Sequence, residues 1–410
     1  MSEAPPLSIA LLHYAALPVV GGVESVLAHH ARLMAAAGHD VRVIAGRGEQ
    51  ASLAVPFVLM PLADSRHPRV EALKAELDAE RPPPDLEPLT SELESSLGKE
   101  LEAVDLVIAH NVCSLHKNLA LTAALHRLRR ADAIRRLILW HHDLAWTTPR
   151  YQPELHPGYP WDLLRTHWGA EHVVISEARR RELAGLLGIP PETITVVPNG
   201  IDAAGLLKLE PVSLDLIHRL GLDRADPILL LPVRITPRKN IELALRVLAE
   251  LRQTYPDAAL IVTGPPGPHN PANAGYFEQL LSLRAGLGLQ GAAHFLTEAY
   301  NGTLPDAVIA DLYQIADALF LPSKEEGFGL PLLEAAFHRV PAFCSDIAAL
   351  RELGGNQVTF FDLEAKPAEI AGRIARRLHD DPGHSFRARA WREATWEAVF
   401  ARHIAPLIER

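Results

Sequence analysis

Short apolar runs alternate with helical patterns along the whole chain, and this alternation restricts the fold more than any other feature. The first half holds such runs at residues 9–13, 41–45, 106–110, 137–141, 173–176 and 194–198. The second half holds them at residues 228–233, 260–263, 294–296, 319–322, 341–345 and 358–361. They are rich in β-branched residues without strict alternation, which is typical of strands buried on both faces. Strands separated by helices predict parallel βαβ units and doubly wound sheets.

The length of the chain predicts two domains, because 410 residues are too many for one ordinary hydrophobic core. Between the two series of strands lies V-V-P-N-G-I-D, residues 196–202, whose Pro-Asn-Gly is strong turn chemistry. The predicted fold class is therefore α/β, with Rossmann-like parallel-sheet domains at residues 1–199 and 200–385.

One segment, residues 71–102, departs from the alternation. It is charge-rich, helical in pattern and interrupted by Pro82, Pro83 and Pro84. The pattern predicts two surface helices joined by a stiff turn. An inserted, solvated hairpin is the favoured interpretation, and a lid that binds a partner or an acceptor is the alternative.

Composition excludes several classes of protein. Acidic residues outnumber basic ones by 50 to 40, and the net charge of −10 argues against a general nucleic-acid binder. No apolar run approaches the length of a membrane span, and residues 7–12 follow no basic region, so they predict a first strand rather than a signal peptide. The two cysteines, Cys113 and Cys344, lie far apart and fit a reducing compartment. A cytoplasmic protein is expected.

The stretch S-K-E-E-G-F-G-L-P-L-L-E, residues 323–334, predicts a ligand site between a strand and a helix. Gly327 and Gly329 allow the backbone to approach a ligand closely, and Pro331 suits a first helical turn. A helix start is an anion site because its N–H groups are unpaired. Glu326 and Glu334 flank that site, so a phosphorylated ligand rich in hydroxyl groups is expected.

A second candidate is R-I-T-P-R-K-N, which follows the strand at residues 228–233. Arg234 ends the strand, where ligands bind in open α/β sheets, and Lys239 begins a helix for which Asn240 is a plausible cap. Two fixed cations beside a helix start would hold a diphosphate and stabilise it as it leaves. The alternative is a solvated basic turn, and the nearby glycine loop favours the functional interpretation.

The first half offers weaker signals. Gly21 and Gly22 precede a helix without forming a dinucleotide or Walker fingerprint, so they can be a simple turn. His110 and His142 come at strand ends. His142 could bind a sugar hydroxyl or accept a proton, and His110 has a similar chance; a structural role is the alternative for each. His141 and His142 are expected to face opposite sides. No metal site is predicted, since neither D-x-D nor metal-ligand spacing occurs.

Together these motifs resemble the retaining glycosyltransferases of family 4. The resemblance rests on E-G-F-G-L-P-L-L-E, in which Glu326 and Glu334 form a Glu-x7-Glu motif, and on R-I-T-P-R-K, V-V-P-N-G-I-D and G-G-V-E. It covers nearly the whole chain and is strongest over residues 196–352. The family implies the GT-B architecture of two facing domains with a cleft between them, closing about residues 199–200. It also implies that residues 386–410, with T-W-E-A-V-F, form a helix returning to the first domain.

The resemblance assigns expected roles to single residues. Arg234 and Lys239 would bind the donor diphosphate, Glu334 the ribose, and Glu326 the transferred sugar. His142 would approach the reacting sugar, and the nucleobase would lie near residues 296–300. The remaining expected donor contacts come from the Gly22 backbone and from the amides of Gly327, Phe328, Gly329 and Leu330. Asn240 departs from the family, which often has glycine there.

The implied reaction moves a hexosyl group from a UDP- or GDP-sugar to a hydroxyl acceptor with retention, without metal or further cofactor. The sequence decides neither the donor base, the acceptor nor the oligomeric state. Alternatives are another GT-B enzyme, such as an epimerase or phosphorylase, and a non-catalytic nucleotide-sugar binder. An NAD-dependent dehydrogenase is disfavoured because the dinucleotide fingerprint is missing.

Overall fold

A computed structural model describes residues 5–50, 52–79, 83–266 and 272–410, without the side chains of 272–274. The chain divides into two compact units. The first unit is Met1–Ile201 together with Trp396–Arg410, and the second unit is Asp202–Thr395. The expected boundary at residue 199 thus lies two residues before the observed one, and the chain rejoins the first unit at Trp396 rather than at residue 386.

The first unit is built on a seven-stranded parallel sheet in the order β3-β2-β1-β4-β5-β6-β7. Its strands are β1 (Ser8–His13), β2 (Asp40–Ala45), β3 (Phe57–Leu59), β4 (Leu106–His110), β5 (Leu137–His141), β6 (Glu171–Val174) and β7 (Ile194–Val196). Its helices before the boundary are α1 (Gly22–Ala36), α2 (Pro68–Asp78), α3 (Leu86–Leu101), α4 (Leu119–Arg130) and α5 (Glu177–Leu187).

The second unit is a six-stranded parallel sheet in the order β10-β9-β8-β11-β12-β13. Its strands are β8 (Ile228–Leu231), β9 (Ala259–Val262), β10 (Ala293–Phe295), β11 (Ala318–Leu321), β12 (Ala342–Ser345) and β13 (Thr359–Phe361). Its helices are α6 (Ala203–Leu207), α7 (Pro211–Arg219), α8 (Ile241–Leu251), α9 (Ala272–Gly286), α10 (Leu296–Ala299), α11 (Asp306–Ile315), α12 (Leu330–Phe337), α13 (Ala348–Gly354), α14 (Pro367–His379) and α15 (Pro382–Ala394).

The predicted class of two doubly wound parallel sheets is confirmed, and its cause lies in the strand composition. Every residue of β4, β5, β8, β9, β11 and β12 is buried, as expected where helices cover both faces of a sheet. The edge strand β3 was not predicted, because it has three residues, none of them buried. No helix among the described residues is both long and apolar enough to cross a membrane.

The segment at residues 71–102 forms two helices, as predicted, but the solvated hairpin is wrong for both of them, because α2 also buries Leu73 and Leu77 in the core of the first unit. α3 buries one stripe, which includes Leu89, Leu93 and Leu97, in the core of the first unit. At Gly98 a Cβ atom would lie 3.3 Å from Leu128 of α4, so the two helices pack closely. Residues 80–82, with Pro82 of the expected turn, lie outside the described residues.

The returning segment consists of α16 (Trp396–Val399), a π-helical turn at Phe400–Ile404 and α17 (Ala405–Ile408). Trp396 packs with Val26 and Leu33 of α1. Its backbone N–H donates to the carbonyl of Ile201 over 3.2 Å. At Gly200 a Cβ atom would lie 2.6 Å from the Trp396 ring, so this glycine makes room for the tryptophan.

Helix α15 is attached to the second unit by an ion network of two carboxylates, one histidine and two arginines. His384 Nε2 lies 3.4 Å from Asp226 Oδ1 and 3.7 Å from Asp317 Oδ1. Arg392 pairs with Asp226 at 3.0 Å, and Arg387 with Asp317 at 3.6 Å. The interaction with Asp226, and further the charge of Asp317, raise the pKa of His384. Because the arginines already balance both carboxylates, the group fits a protonated histidine better than a metal ion.

This network predicts a pH-dependent stability of the second unit. Because the pKa of His384 is raised in the folded protein, its full contribution to the free energy of unfolding is present below the unfolded pKa of about 6.5. That contribution is lost as the pH rises through the pKa of the folded protein. His384→Asn should therefore lower the free energy of unfolding by about 1.5 kcal/mol at pH 6 and by much less at pH 9. Urea titrations at both pH values measure the difference. The matched control is His379→Asn, at an exposed position at the end of α14; a pH-independent loss in His384→Asn would contradict the prediction.

Candidate functional site

The glycine loop at residues 323–329 joins β11 to α12, as predicted, and its two glycines differ in what they do. Gly329 has a φ of +96°, and a Cβ atom there would lie 2.7 Å from Leu350. The fold itself therefore requires this glycine. At Gly327 a Cβ atom would meet nothing within 4 Å, so packing within the chain does not require a glycine there. The neighbouring side chains of Phe328 and Leu330 are exposed.

Lys239 and Glu326 form a buried ion pair at the centre of the candidate site. Lys239 Nζ donates to Glu326 Oε1 over 2.5 Å, and the two side chains are only 8% and 7% exposed. Ser323 Oγ donates to the same oxygen over 2.8 Å. The pair joins a 3₁₀ turn, Pro237–Lys239, to the glycine loop, although the residues are 87 positions apart. The structure thus brings together two residues that the sequence placed in separate motifs.

Arg238 was not among the predicted residues, yet it also contacts the loop. Its Nη1 lies 3.7 Å from Glu326 Oε2 and donates to the carbonyl of Glu325 over 3.2 Å. The adjacent Arg-Lys pair in R-I-T-P-R-K was the available signal. Glu326 thus has a cation near each oxygen.

Arg234 lies three residues beyond β8 and is exposed. In the described part of the chain, its guanidinium has no hydrogen-bond or ion-pair partner. It is therefore a free cation, in contrast to Lys239. The backbone beside it is tightly packed, because a Cβ atom at Gly264 would lie 2.7 Å from Arg234 Cα.

Asn240 stands before α8, but its side chain does not cap the helix, so the expected capping bond is wrong. Its backbone instead adopts a left-handed conformation with a φ of +53°. Asparagine tolerates this conformation better than most residues with a Cβ atom. The conformation also explains how asparagine can stand where the resembled family often has glycine.

Glu334 is oriented by a residue that was not predicted. Tyr313 donates from its hydroxyl to Glu334 Oε2 over 2.7 Å, and the hydroxyl also lies 3.2 Å from the carbonyl of Pro331. Burial raises the pKa of Tyr313, and the Glu334 carboxylate raises it further. The tyrosine therefore remains a donor and fixes one oxygen of an otherwise exposed carboxylate. Tyr313 lies in α11, outside the motifs on which the predicted site rests.

The first unit contains a cavity of about 510 Å³ that brings together the two predicted residues of this unit, Gly22 and His142. At Gly22 a Cβ atom would meet nothing within 4 Å, so no packing inside the unit demands glycine there. Other cavity residues carry charge or hydrogen-bonding groups: His13, Glu24, Arg47, Arg66, Asn111, Lys117, Asp143 and Arg150. Arg66 and Lys117 form no ion pair within the described residues.

The three histidines at the ends of β4 and β5 have different surroundings. His142 lines the cavity, and burial lowers its pKa to about 3, so the ring is neutral near pH 7. His141 faces away from it and has its Nε2 3.0 Å from Nδ1 of His172, as the alternation predicts. His110 is fully buried behind His142, with Nδ1 3.1 Å from its Nε2.

Two family models match the chain, one for each unit. The model described as "Glycosyltransferase Family 4" matches residues 20–204, and the model described as "Glycosyl transferases group 1" matches residues 215–395. The two matches cover almost the whole of the region between the first helix and the returning segment.

Curated relatives are similar over part of their length. A D-inositol 3-phosphate glycosyltransferase of Acidothermus cellulolyticus is 30% identical over 225 residues, which are 53% of this chain and 47% of the relative. A mannosylglucosylglycerate synthase of Petrotoga mobilis is 26% identical over 264 residues, 59% of each chain. The chain thus matches about half the length of the first of these relatives.

Solved structures align over nearly the whole chain at low identity. The structure of Anabaena Alr3699/HepE in complex with UDP is 19% identical, covers 98% of this chain and 99% of its own, and has a TM-score of 0.38. A sucrose-phosphate synthase from Thermosynechococcus elongatus is 18% identical, with 98% of each chain covered and a TM-score of 0.37. The fold assignment rests on the two sheets themselves and on the family models.

Proposed function

The chain belongs to the family 4 glycosyltransferases, and from this membership we propose that it transfers a hexosyl group from a nucleotide-diphosphate sugar to an acceptor hydroxyl with retention. The observation that carries the proposal is the buried Lys239–Glu326 pair beside the glycine loop. A buried ion pair is costly to maintain, and removal of either partner would leave an uncompensated charge. Such a pair next to a loop that exposes its backbone fits a site for an anionic, hydroxyl-bearing ligand.

Lys239 and Arg234 both bind the diphosphate in this proposal, and each supplies a different set of hydrogen-bond donors. An ammonium group has three N–H donors, and Glu326 takes one, so Lys239 keeps two for phosphate oxygens. The unpaired guanidinium of Arg234 is free to make a bidentate contact. As the bond between the anomeric carbon and the phosphate oxygen breaks, negative charge collects on the departing diphosphate. Fixed cations placed there stabilise the transition state more than the bound donor.

Glu326 is held in place to contact the transferred sugar. Ser323 and Lys239 both donate to Oε1, which leaves Oε2, with Arg238 3.7 Å away, as the oxygen available to sugar hydroxyls. The amides of residues 327–330 and the start of α12 offer further donors. In the proposed reaction, the acceptor oxygen bonds to the anomeric carbon on the face that the diphosphate leaves. A phosphate oxygen of the leaving diphosphate takes the proton of the acceptor hydroxyl, so that each bond broken is matched by a bond formed.

Glu334 is the proposed ribose contact. Tyr313 occupies Oε2, and the carboxylate is otherwise exposed at the end of the first turn and a half of α12. A carboxylate accepts hydrogen bonds from two neighbouring hydroxyls, which suits a ribose diol. Tyr313→Phe is accordingly the change that would loosen this contact without removing the carboxylate.

The acceptor is proposed to be a polyol or sugar that carries a phosphate or carboxylate group. The cavity of the first unit supports this, because Arg66 and Lys117 line it and form no ion pair among the described residues. Asn118, next to Lys117, donates to the carbonyls of Leu62 and Ala63, which places the two cation-bearing segments side by side. One relative, by its name, also acts on a phosphorylated polyol.

Incubation with UDP-, GDP- and ADP-sugars and with matched pairs of phosphorylated and unphosphorylated polyols tests these proposals. We expect one donor to raise the melting temperature and to release its nucleoside diphosphate only when an acceptor is present. Stabilisation by a donor without turnover would favour the non-catalytic binder. Turnover independent of Lys239 and Arg234 would refute the proposed roles.

The two glycines of the loop give a matched prediction. Gly327→Ala should leave the melting temperature unchanged and weaken donor binding by about tenfold, since the new methyl group would displace ligand atoms only. Gly329→Ala should destabilise the second unit by about 2 kcal/mol, because it forces a residue with a Cβ atom into a left-handed conformation against Leu350. Thermal unfolding and donor titration of both variants measure the contrast. Equal stability of the two variants would contradict it.

A further inference from the structure

A pair of histidines lies at the inner wall of the cavity in the first unit, one accessible from the cavity and one behind it. His142 lines the cavity, whereas His110, at the end of β4, is completely buried. Their rings are joined by a hydrogen bond of 3.1 Å between His110 Nδ1 and His142 Nε2. The position at a strand end predicted the same role for both histidines, but only His142 reaches the cavity, which leaves the role of His110 unassigned.

The backbone around the pair is fixed by Asn111. Its side-chain oxygen accepts hydrogen bonds from the backbone N–H groups of His142 and Asp143, over 2.7 and 3.2 Å. Asn111 itself has a φ of +57°, a conformation that asparagine tolerates. The position of the His142 ring therefore depends on the end of β4 as well as on its own strand.

The hydrogen bond can be made in two ways, and the surroundings of His110 select one. Burial lowers the pKa of both histidines, so each ring is neutral and carries one hydrogen. The second nitrogen of His110, Nε2, is buried and has no partner among the described residues. If it carried the hydrogen, an N–H group would be left unpaired in the core, which is rare in proteins.

The neighbours of His110 add to this preference. The indole of Trp140 stacks on the His110 ring at 5.5 Å, and its N–H is itself buried without a partner among the described residues. An indole nitrogen is always a donor, so a second N–H in this place would add an unpaired donor to an existing one. The hydrogen of His110 therefore belongs on Nδ1, from which it is donated to His142 Nε2.

We propose that His110 is a positioning residue that holds His142 in the tautomer with its hydrogen on Nδ1, so that His142 offers the cavity a fixed hydrogen-bond donor and not a proton acceptor. The neighbouring His13 has the same tautomer for a simple reason. Its Nδ1 lies 2.7 Å from the carbonyl of His110, which can only accept a hydrogen bond.

The functional part of this inference rests on the proposed glycosyl transfer. In that reaction, His142 Nδ1–H donates to an oxygen of the bound sugar, and the acceptor proton goes elsewhere. Of the two roles that the sequence left open for His142, a hydroxyl contact and a proton acceptor, the geometry points to the first. His142 is then expected to contribute no ionisation to the rate profile between pH 6 and 8.

Nitrogen NMR of the full chain with labelled histidine tests the tautomer directly and needs no substrate. The signals of His142 are identified as those lost in His142→Gln. We expect its Nδ1 to show the shift of a protonated ring nitrogen and its Nε2 that of a bare one, unchanged from pH 6 to 8. A protonated Nε2 in the wild-type protein would overturn the proposal.

Variants of His110 test the consequence for turnover. His110→Phe keeps a ring but removes the donor, so the His142 ring can exchange between tautomers, and kcat/KM should fall by about tenfold to a hundredfold. His110→Asn places an amide donor where Nδ1 lies and should restore most of the activity and the NMR signature. The matched control is His141→Phe, which removes a buried histidine on the opposite side of β5.

The outcomes separate this inference from the proposed function. If no nucleotide sugar is turned over, the proposed function fails while the NMR experiment still decides the tautomer. If His110→Asn is as inactive as His110→Phe, or His141→Phe is equally inactive, His110 has only a structural role and the inference is wrong.

Discussion

Replacement of Lys239 by methionine is expected to lower kcat by about 10²-fold or more and to destabilise the second unit at the same time. The rate falls because a preorganised cation no longer meets the charge on the departing diphosphate. Stability falls because Glu326 would keep a buried carboxylate without its closest partner. The expected loss is about 3 kcal/mol, at the lower end for a broken buried pair, since Ser323 and Arg238 still face the carboxylate. Steady-state kinetics and urea unfolding measure the two effects.

A double variant separates these two causes. Lys239→Met combined with Glu326→Gln removes the stranded charge, so most of the lost stability should return, while turnover should remain as low as in the single variant or fall further. Recovery of turnover in the double variant would show that Lys239 acts only by neutralising Glu326, which contradicts its proposed role on the diphosphate.

Arg234→Gln should lower the rate without lowering the stability. The expected fall in kcat is again about 10²-fold, yet the free energy of unfolding should change by less than about 0.5 kcal/mol, because the guanidinium is exposed and has no partner among the described residues. Donor-dependent release of nucleoside diphosphate and thermal unfolding provide the measurements.

Arg246→Gln is the matched control for this change. Arg246 lies on α8, is exposed, and likewise pairs with nothing in the described part of the chain. Its replacement should alter neither turnover nor stability. Similar turnover in the two variants would remove Arg234 from the site, whereas a large fall in melting temperature for Arg234→Gln would show a structural role.

The strands were predictable because burial on both faces leaves a continuous apolar run, which is a local signal. Helix α3 shows where local reasoning failed. Its charged residues suggested a solvated hairpin, but the leucines that include Leu89, Leu93 and Leu97 form a stripe that packs on α4. The apolar spacing of three and four residues was present in the sequence and outweighs the charge count.

The sequence singled out Lys239 and Glu326 as single residues, but it did not predict that they pair. Lys239 and Glu326 lie in separate motifs, and their hydrogen bond spans 87 positions, so no local spacing reveals it. For the same reason, Tyr313 behind Glu334 and the bond between His110 and His142 emerged only from the fold. Motifs identify groups that can touch a ligand, whereas the residues that orient those groups come from elsewhere in the chain.

The hydrogen bond between Trp396 and Ile201 has a consequence for the modularity of the chain. It places the departure point and the return point of the second unit beside each other in the first. In sequence, the second unit is a single insertion, residues 202–395, in the first unit, and the two residues that flank the insertion are adjacent in the structure. A linker of a few residues can therefore join residue 201 to residue 396, so that the first unit forms without the second.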